Sequence, residues 1–336
     1  MVPDLAGQIA RLAPWLPDAL VPAPVRGRLE RVAADLPDAW TWGCIECRLD
    51  GDPQVDLLAC ALDAHGDRAR LAAAAPSSRL ASIQPMIDAW VTPGSRLARM
   101  AMLWAEVDLP RDGVDLPPFA HLRLAPHHPT QATQPRVPNE EAMALVDDAL
   151  PRMLGVPLAP ASRAAVARAL AVLPPSGRPM HVMATPARGT HDLKMDASLL
   201  RDEVIPWLDA LDWPGDVADV LRVHRWFGEG RGRTSTQIVL GDDVRAPLAM
   251  EYYRPSLPSE NGDWRRFMGH LVDEGVAAAE PAEAALGWIG RSVLQGDEWP
   301  LHVLRELEIK VVTDGRGQLR AKAYLSWLMR CQILGP

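Results

Sequence analysis

The sequence predicts an α/β protein: a ten-stranded antiparallel β-barrel built from five α-α-β-β repeats, with the helices outside. Three observations carry that expectation. Strand-like runs come in pairs joined by short turns, so the two strands of each pair are antiparallel. Helical segments precede each pair, and the first strands begin near residues 42, 98, 180, 234 and 304. Along each strand one alternate row is small and apolar, while the other is polar, charged or aromatic. Ten strands in one open sheet would be large for a chain of 336 residues, and closure removes the exposed edges.

The elements follow in order. Residues 1–39 hold two helical segments broken by Pro14, Pro17, Pro22 and Pro24, the second being the amphipathic run 25–36. Strands 42–49 and 55–62 turn at Asp50-Gly51-Asp52-Pro53. Helix 80–90, bent by Pro85, stops at Thr92-Pro93-Gly94 and leads into strands 98–109 and 119–124. The polar, Pro-rich stretch 125–139 is the one linker-like segment, so a single domain over 1–336 is expected. His127-His128 within it lacks an acidic or Cys partner at ligand spacing and reads as solvated loop. Asn139 is a good N-cap for a helix through Leu154, and a second helix spans about 161–173, near Pro160. Strands 180–186 and 191–197 flank Arg188-Gly189. Helices 199–211 and 217–227 lead to strands 234–240 and 246–253. The last helices, 263–274 and 282–288, precede a hairpin over 307–327 that turns at Asp314-Gly315-Arg316-Gly317.

If the helices cover the apolar rows, the other rows line a chamber. That inward set includes Cys44, Glu46 and Arg48; Met102, Trp104 and Glu106; His121 and Arg123; His181 and Met183; and Asp192, Lys194 and Asp196. It continues with Ser235, Gln237, Glu251, Tyr253, Glu308, Lys310, Arg320, Lys322 and Tyr324. The chain has three lysines, Lys194, Lys310 and Lys322, against 32 arginines, and all three fall on inward rows. An ammonium is a compact, movable point charge where a guanidinium is a planar fork.

Composition excludes several classes. A net charge of −8 argues against a general nucleic-acid or anionic-membrane binder. No apolar run reaches the roughly 20 residues that span a bilayer. The N-terminus lacks the basic and apolar regions of a signal peptide, so cytoplasm is the expected location. Cys44 and Cys47 match C-x-x-C, but in a strand they point to opposite faces and make no metal or redox pair. The Gly-rich stretch 228–232 lacks the Gly-Lys-Ser/Thr ending of a phosphate loop.

The five-repeat architecture and the strand Arg320-x-Lys322-x-Tyr324 together resemble the ABBA-type aromatic prenyltransferases, whose barrel (the PT barrel) has ten antiparallel strands. The resemblance implies transfer of an allylic prenyl group from its diphosphate to an aromatic small molecule or a peptide side chain, in natural-product biosynthesis. It implies no cofactor and no metal, the allylic diphosphate being a co-substrate; no Asp-rich metal motif such as DDxxD occurs. The implied diphosphate ligands are Lys194, Lys310, Arg320, Lys322 and Tyr324. Trp104 and Tyr253, with Trp42, would shield the cation. Glu46, Glu106 or Glu251 would act as base. The mixed charges of the inward rows and the count of three tyrosines also suit two other readings. One is a barrel that binds a peptide without transfer; the other is a barrel enzyme whose carboxylate drives cyclisation or proton transfer on a peptide.

Overall fold

Five hairpins close into one ring. The computed structural model describes residues 2–111, 113–124, 136–228, 232–253, 261–296 and 299–331. The strands are β1 (Trp42–Arg48), β2 (Val55–Leu62), β3 (Met102–Leu109), β4 (Phe119–Arg123), β5 (Arg178–Ala184), β6 (Leu193–Leu200), β7 (Arg233–Leu240) and β8 (Val244–Tyr253). After them come β9 (Gly290–Leu294), β10 (Leu301–Thr313) and β11 (Leu319–Cys331). Strands β1 to β8 pair in sequence order, β8 pairs with β10, β10 with β11, and β11 returns to β1, every pair antiparallel. The expected ten-stranded barrel is therefore closed.

The eleventh strand, β9, was not foreseen. β8 covers β10 only over Glu308–Thr313, so the first half of the long β10 would present a bare edge. β9 pairs with Leu301–Arg305 and covers it. A five-residue run with alternating exposure gives no strong strand signal of its own.

Two helices precede each hairpin: α1 (Leu5–Leu12), α2 (Ala23–Ala34), α3 (Asp67–Ala73), α4 (Gln84–Val91), α5 (Asn139–Leu154), α6 (Pro160–Ala171), α7 (Arg201–Ala210), α8 (Val217–Phe227), α9 (Asn261–Asp273) and α10 (Ala279–Trp288). Helix α3 escaped the sequence pattern because it buries only Asp67 and Leu71, too few for an apolar stripe. Pro85 sits in the first turn of α4 and does not bend it. Pro138, not Asn139, occupies the cap position of α5. The Asn139 amide instead donates to Leu170 O (3.2 Å) and accepts from Arg136 (2.7 Å), tying α5 to α6. None of these helices is long and apolar enough to cross a membrane.

The apolar rows pack beneath the helices as expected. Leu57, Ala59 and Ala61 of β2, Leu103, Ala105 and Val107 of β3, and Leu307, Ile309 and Val311 of β10 are all buried in one continuous core. The β1–β11 seam is especially tight. Gly43 lies opposite Trp327, and a Cβ on Gly43 would fall 2.1 Å from the indole. The same indole N–H donates to Gln8 of α1 (2.9 Å), fastening the first helix over the closure. At the last hairpin Gly315 and Gly317 take positive φ, and Asp314 Oδ1 accepts from the backbone of Arg316 and Gln318. The linker residues 125–135, with His127-His128, and residues 229–231 of the Gly-rich stretch lie outside the described residues.

Candidate active site

The inward rows line a chamber of about 1260 Å³. Drug-sized ligands fill about 300–1,000 Å³, so there is room for two small substrates together. The five hairpin turns gather at one end of the barrel, and the helix connections at the other.

All three lysines line this chamber towards the hairpin end. The last hairpin sets Lys310 opposite Lys322, and the neighbouring registers bring Glu251 beside Lys310 and Arg48 beside Lys322. Lys310 Nζ lies 2.7 Å from Glu251 and donates to the Tyr324 hydroxyl at 3.2 Å. Tyr324 in turn donates to Glu46 in a short contact, and Lys322 donates to the other oxygen of that carboxylate at 2.6 Å. Arg48 bridges Glu46 and Asp56. Arg188, reaching in from the β5–β6 turn, holds Glu106 (2.6 Å) and Asp108 (2.5 Å) and covers the Phe119 ring. His121 Nε2 stands 2.8 Å from Glu106.

These pairings fix the charges. Burial pushes the Glu46 carboxyl up, but Lys322, Arg48 and Lys310 outweigh it and hold Glu46 well below the usual carboxylate range. Burial likewise opposes Glu106, yet His121 and Arg188 bring it down to about 2. Burial opposes the Lys310 ammonium, and Glu251, Asp196 and Glu46 more than restore it. Glu251 itself is raised by burial, against the pull of Lys310 and with the push of Asp196. Glu308 is raised to about 8 by burial and then by Glu251 and Glu306, and Asp56 to about 7 by burial and Glu46. Among the described residues, no carboxylate lies within ion-pair distance of Lys194. Burial, then repulsion from Arg188 and Lys310, lowers it to about 8. Glu46, Asp56 and Glu106 bring carboxylate oxygens within 4.8 Å of one another, a spacing a metal ion would accept. Arg48, Lys322 and Arg188 already neutralise them, which marks the cluster as an ion-pair network.

Of the residues expected from sequence, Glu46, Glu106, Glu251, Lys194, Lys310, Lys322, Tyr324 and Trp104 face this interior together. Trp104 packs against Trp42 with ring centroids 5.1 Å apart, and also against Cys44, Leu58 and Tyr324. Two stand at the rim. Arg320 is exposed beside the last turn, and Tyr253 is 47% exposed at the end of β8, with its hydroxyl donating to Glu306 (2.9 Å). Asp192 precedes β6 and faces Arg245 at 3.7 Å. Sequence reasoning assigned no role to Arg188, Asp56 or Asp108. Arg188 lies in a turn, and Asp56 sits in an otherwise apolar run, so periodicity flags neither.

No protein-family model matches the chain, and no curated protein matches it in sequence. Its structure is similar to that of a 6-dimethylallyl tryptophan synthase, with a TM-score of 0.54 at 16% identity, covering 96% of this chain and 94% of that one. It is similar also to the 5-dimethylallyltryptophan synthase from Streptomyces coelicolor, with a TM-score of 0.50 at 14% identity, covering 96% and 95%. The fold is the prenyltransferase barrel. At these identities the likeness extends to the prenyltransferase barrel as an architecture, while the lining residues have to be read on their own chemistry.

Proposed function

We propose that this barrel moves an allylic prenyl group from its diphosphate to an electron-rich acceptor, an aromatic small molecule or a peptide side chain, in natural-product biosynthesis and without a metal. The observation that carries the reading is the convergence of the chain's three lysines, beside Tyr324, on one chamber. Ionisation breaks the allylic C–O bond and leaves both bonding electrons on the diphosphate. Cations preset around that oxygen lower the barrier most. Lys194 is free to take a phosphate oxygen, with Lys310, Lys322 and the Tyr324 hydroxyl flanking it. Trp104, backed by Trp42, gives the allylic cation a π-face and keeps water away. The acceptor then forms the new bond to carbon and gives up a proton. Of Glu46, Glu106 and Glu251, the first two are held as weak bases, and Glu251, raised by burial, is the better matched. Arg320 and Tyr253, at the rim, would meet substrates on the way in.

Lys310 and Lys322 already have carboxylate partners, and that favours one other reading: a barrel that binds a peptide through mixed charges and transfers nothing. One experiment separates the two. Under transfer, an allylic diphosphate raises the melting temperature with chelator present, and the double variant Lys310→Ala, Lys322→Ala abolishes the rise. If no diphosphate stabilises the wild type, the transfer reading is lost.

A further inference from the structure

The helix-side end of the chamber holds a buried cation that the lysine cluster does not explain. Arg123, the last residue of β4, lines the chamber and is 4% exposed. Among the described residues, no carboxylate lies within ion-pair distance of it. Its Nε has no hydrogen-bond partner, and its Nη1 reaches only the Met102 sulfur, at 3.8 Å. Burial alone weakens its hold on its proton, and the side chain stays a cation all the same. Across the β4–β5 ladder sits His181, whose Nε2 is also unpartnered. A buried guanidinium without an anion is costly to the fold, so its retention points to an anion supplied from outside.

The surroundings describe that anion's other half. Met102 packs with Cys60 and with the Trp42–Trp104 pair, so an aromatic wall adjoins the guanidinium. Arg178 and Arg233, the first residues of β5 and β7, line the same end and add positive charge along the approach. We propose that Arg123 anchors a second oxyanion subsite, separate from the lysine cluster, which takes a carboxylate or phosphate group of a substrate whose apolar body lies against Trp42 and Trp104. The planar fork suits two oxygens of one such group. The inference stands on Arg123 and its neighbours, not on prenyl transfer.

Calorimetry on the full chain tests it with three probes: 2-naphthoate, its neutral amide 2-naphthamide, and inorganic pyrophosphate. If the oxyanion is a carboxylate, the wild type prefers the acid to the amide by about ten-fold or more, and Arg123→Met erases the preference while pyrophosphate binding persists. If it is a phosphate, the wild type binds pyrophosphate at two sites and Arg123→Met keeps one, that of the lysine cluster, with its affinity for the acid unchanged. In both cases ligand-free Arg123→Met melts no lower than the wild type, because a buried unpaired charge has gone. A purely structural arginine would show the opposite: a lower melting temperature with anion affinities unchanged. Should the methionine variant fail to fold, Arg123→Lys keeps the charge but not the fork, and weakens one of the two anions several-fold. Unchanged affinities in that variant, or no anion binding by the wild type, overturn the proposal.

Discussion

The two ends of the chamber handle positive charge in opposite ways. At the hairpin end Arg48, Arg188, Lys310 and Lys322 each touch a carboxylate, and Lys194 alone of that group stands without one among the described residues. At the helix end Arg123 is buried with no such partner among the described residues. The first arrangement is stable without ligand, because each desolvated charge has an opposite neighbour and further hydrogen bonds. The second leaves an electrostatic cost in place that only an added anion relieves. Paired cations therefore hold the barrel's shape before any ligand arrives, and the unpaired ones are where the proposals above put a ligand's anion first.

That contrast breaks most visibly at Glu46, which serves Lys322, Arg48 and Tyr324 together. Glu46→Gln takes the only paired carboxylate from half-buried Lys322 among the described residues and leaves half-buried Arg48 with Asp56 alone, and urea unfolding should show a loss of about 3–5 kcal/mol. Next, Lys310→Met takes from half-buried Glu251 its one cation among the described residues and should lose about 3 kcal/mol, whereas Lys194→Met should be neutral or stabilising. Equal losses at the two lysines would erase the distinction between paired and unpaired cations. At the seam that closes the ring, Gly43→Ala drives a methyl into the Trp327 indole and should lose about 1–3 kcal/mol by chemical denaturation.

A pH series sharpens the comparison. Glu308, raised to about 8, keeps its proton in the folded chain, while the unfolded chain releases it near pH 4.3. The folded state then binds more protons at this group, so the Glu308 contribution to stability falls as pH rises from about 4.3 to 8, by up to about 1.4 kcal/mol per unit. Glu251 and Asp56, also raised, act in the same direction. His65, His181 and His224, lowered by burial, oppose it up to about pH 7, where the unfolded chain still protonates histidine. Lys194, lowered to about 8, opposes it above that, so the Glu308 contribution is read as the difference between the wild type and Glu308→Gln. Glu308→Gln should flatten the slope of melting temperature against pH, and an unchanged slope would place the proton elsewhere. The smallest effect belongs to the rim: Arg320→Ala should shift stability by less than about 0.5 kcal/mol.

Much of the architecture was legible because it is written locally. Alternation along each strand and the turn at Asp314-Gly315 are short-range signals, and five of them in series fix a ring. The inward placement of Lys194, Lys310 and Lys322 followed from the same alternation. What was not legible depends on distant partners. Lys322 and Glu46 are 276 residues apart in sequence, and no pattern on either strand states that they meet. Arg188 enters from a turn whose path is set by tertiary packing. β9 exists because β10 outruns β8, a fact about relative lengths that its own five residues do not carry.

The lysine end is the centre of this account, and a crystal structure with a non-hydrolysable allylic thiolodiphosphate tests it most directly. The predicted result is phosphate oxygens about 3 Å from Lys194 Nζ, with Lys310 and Lys322 alongside and the allylic chain against Trp104. A chamber free of the analogue, or a diphosphate bound away from all three lysines, would contradict it.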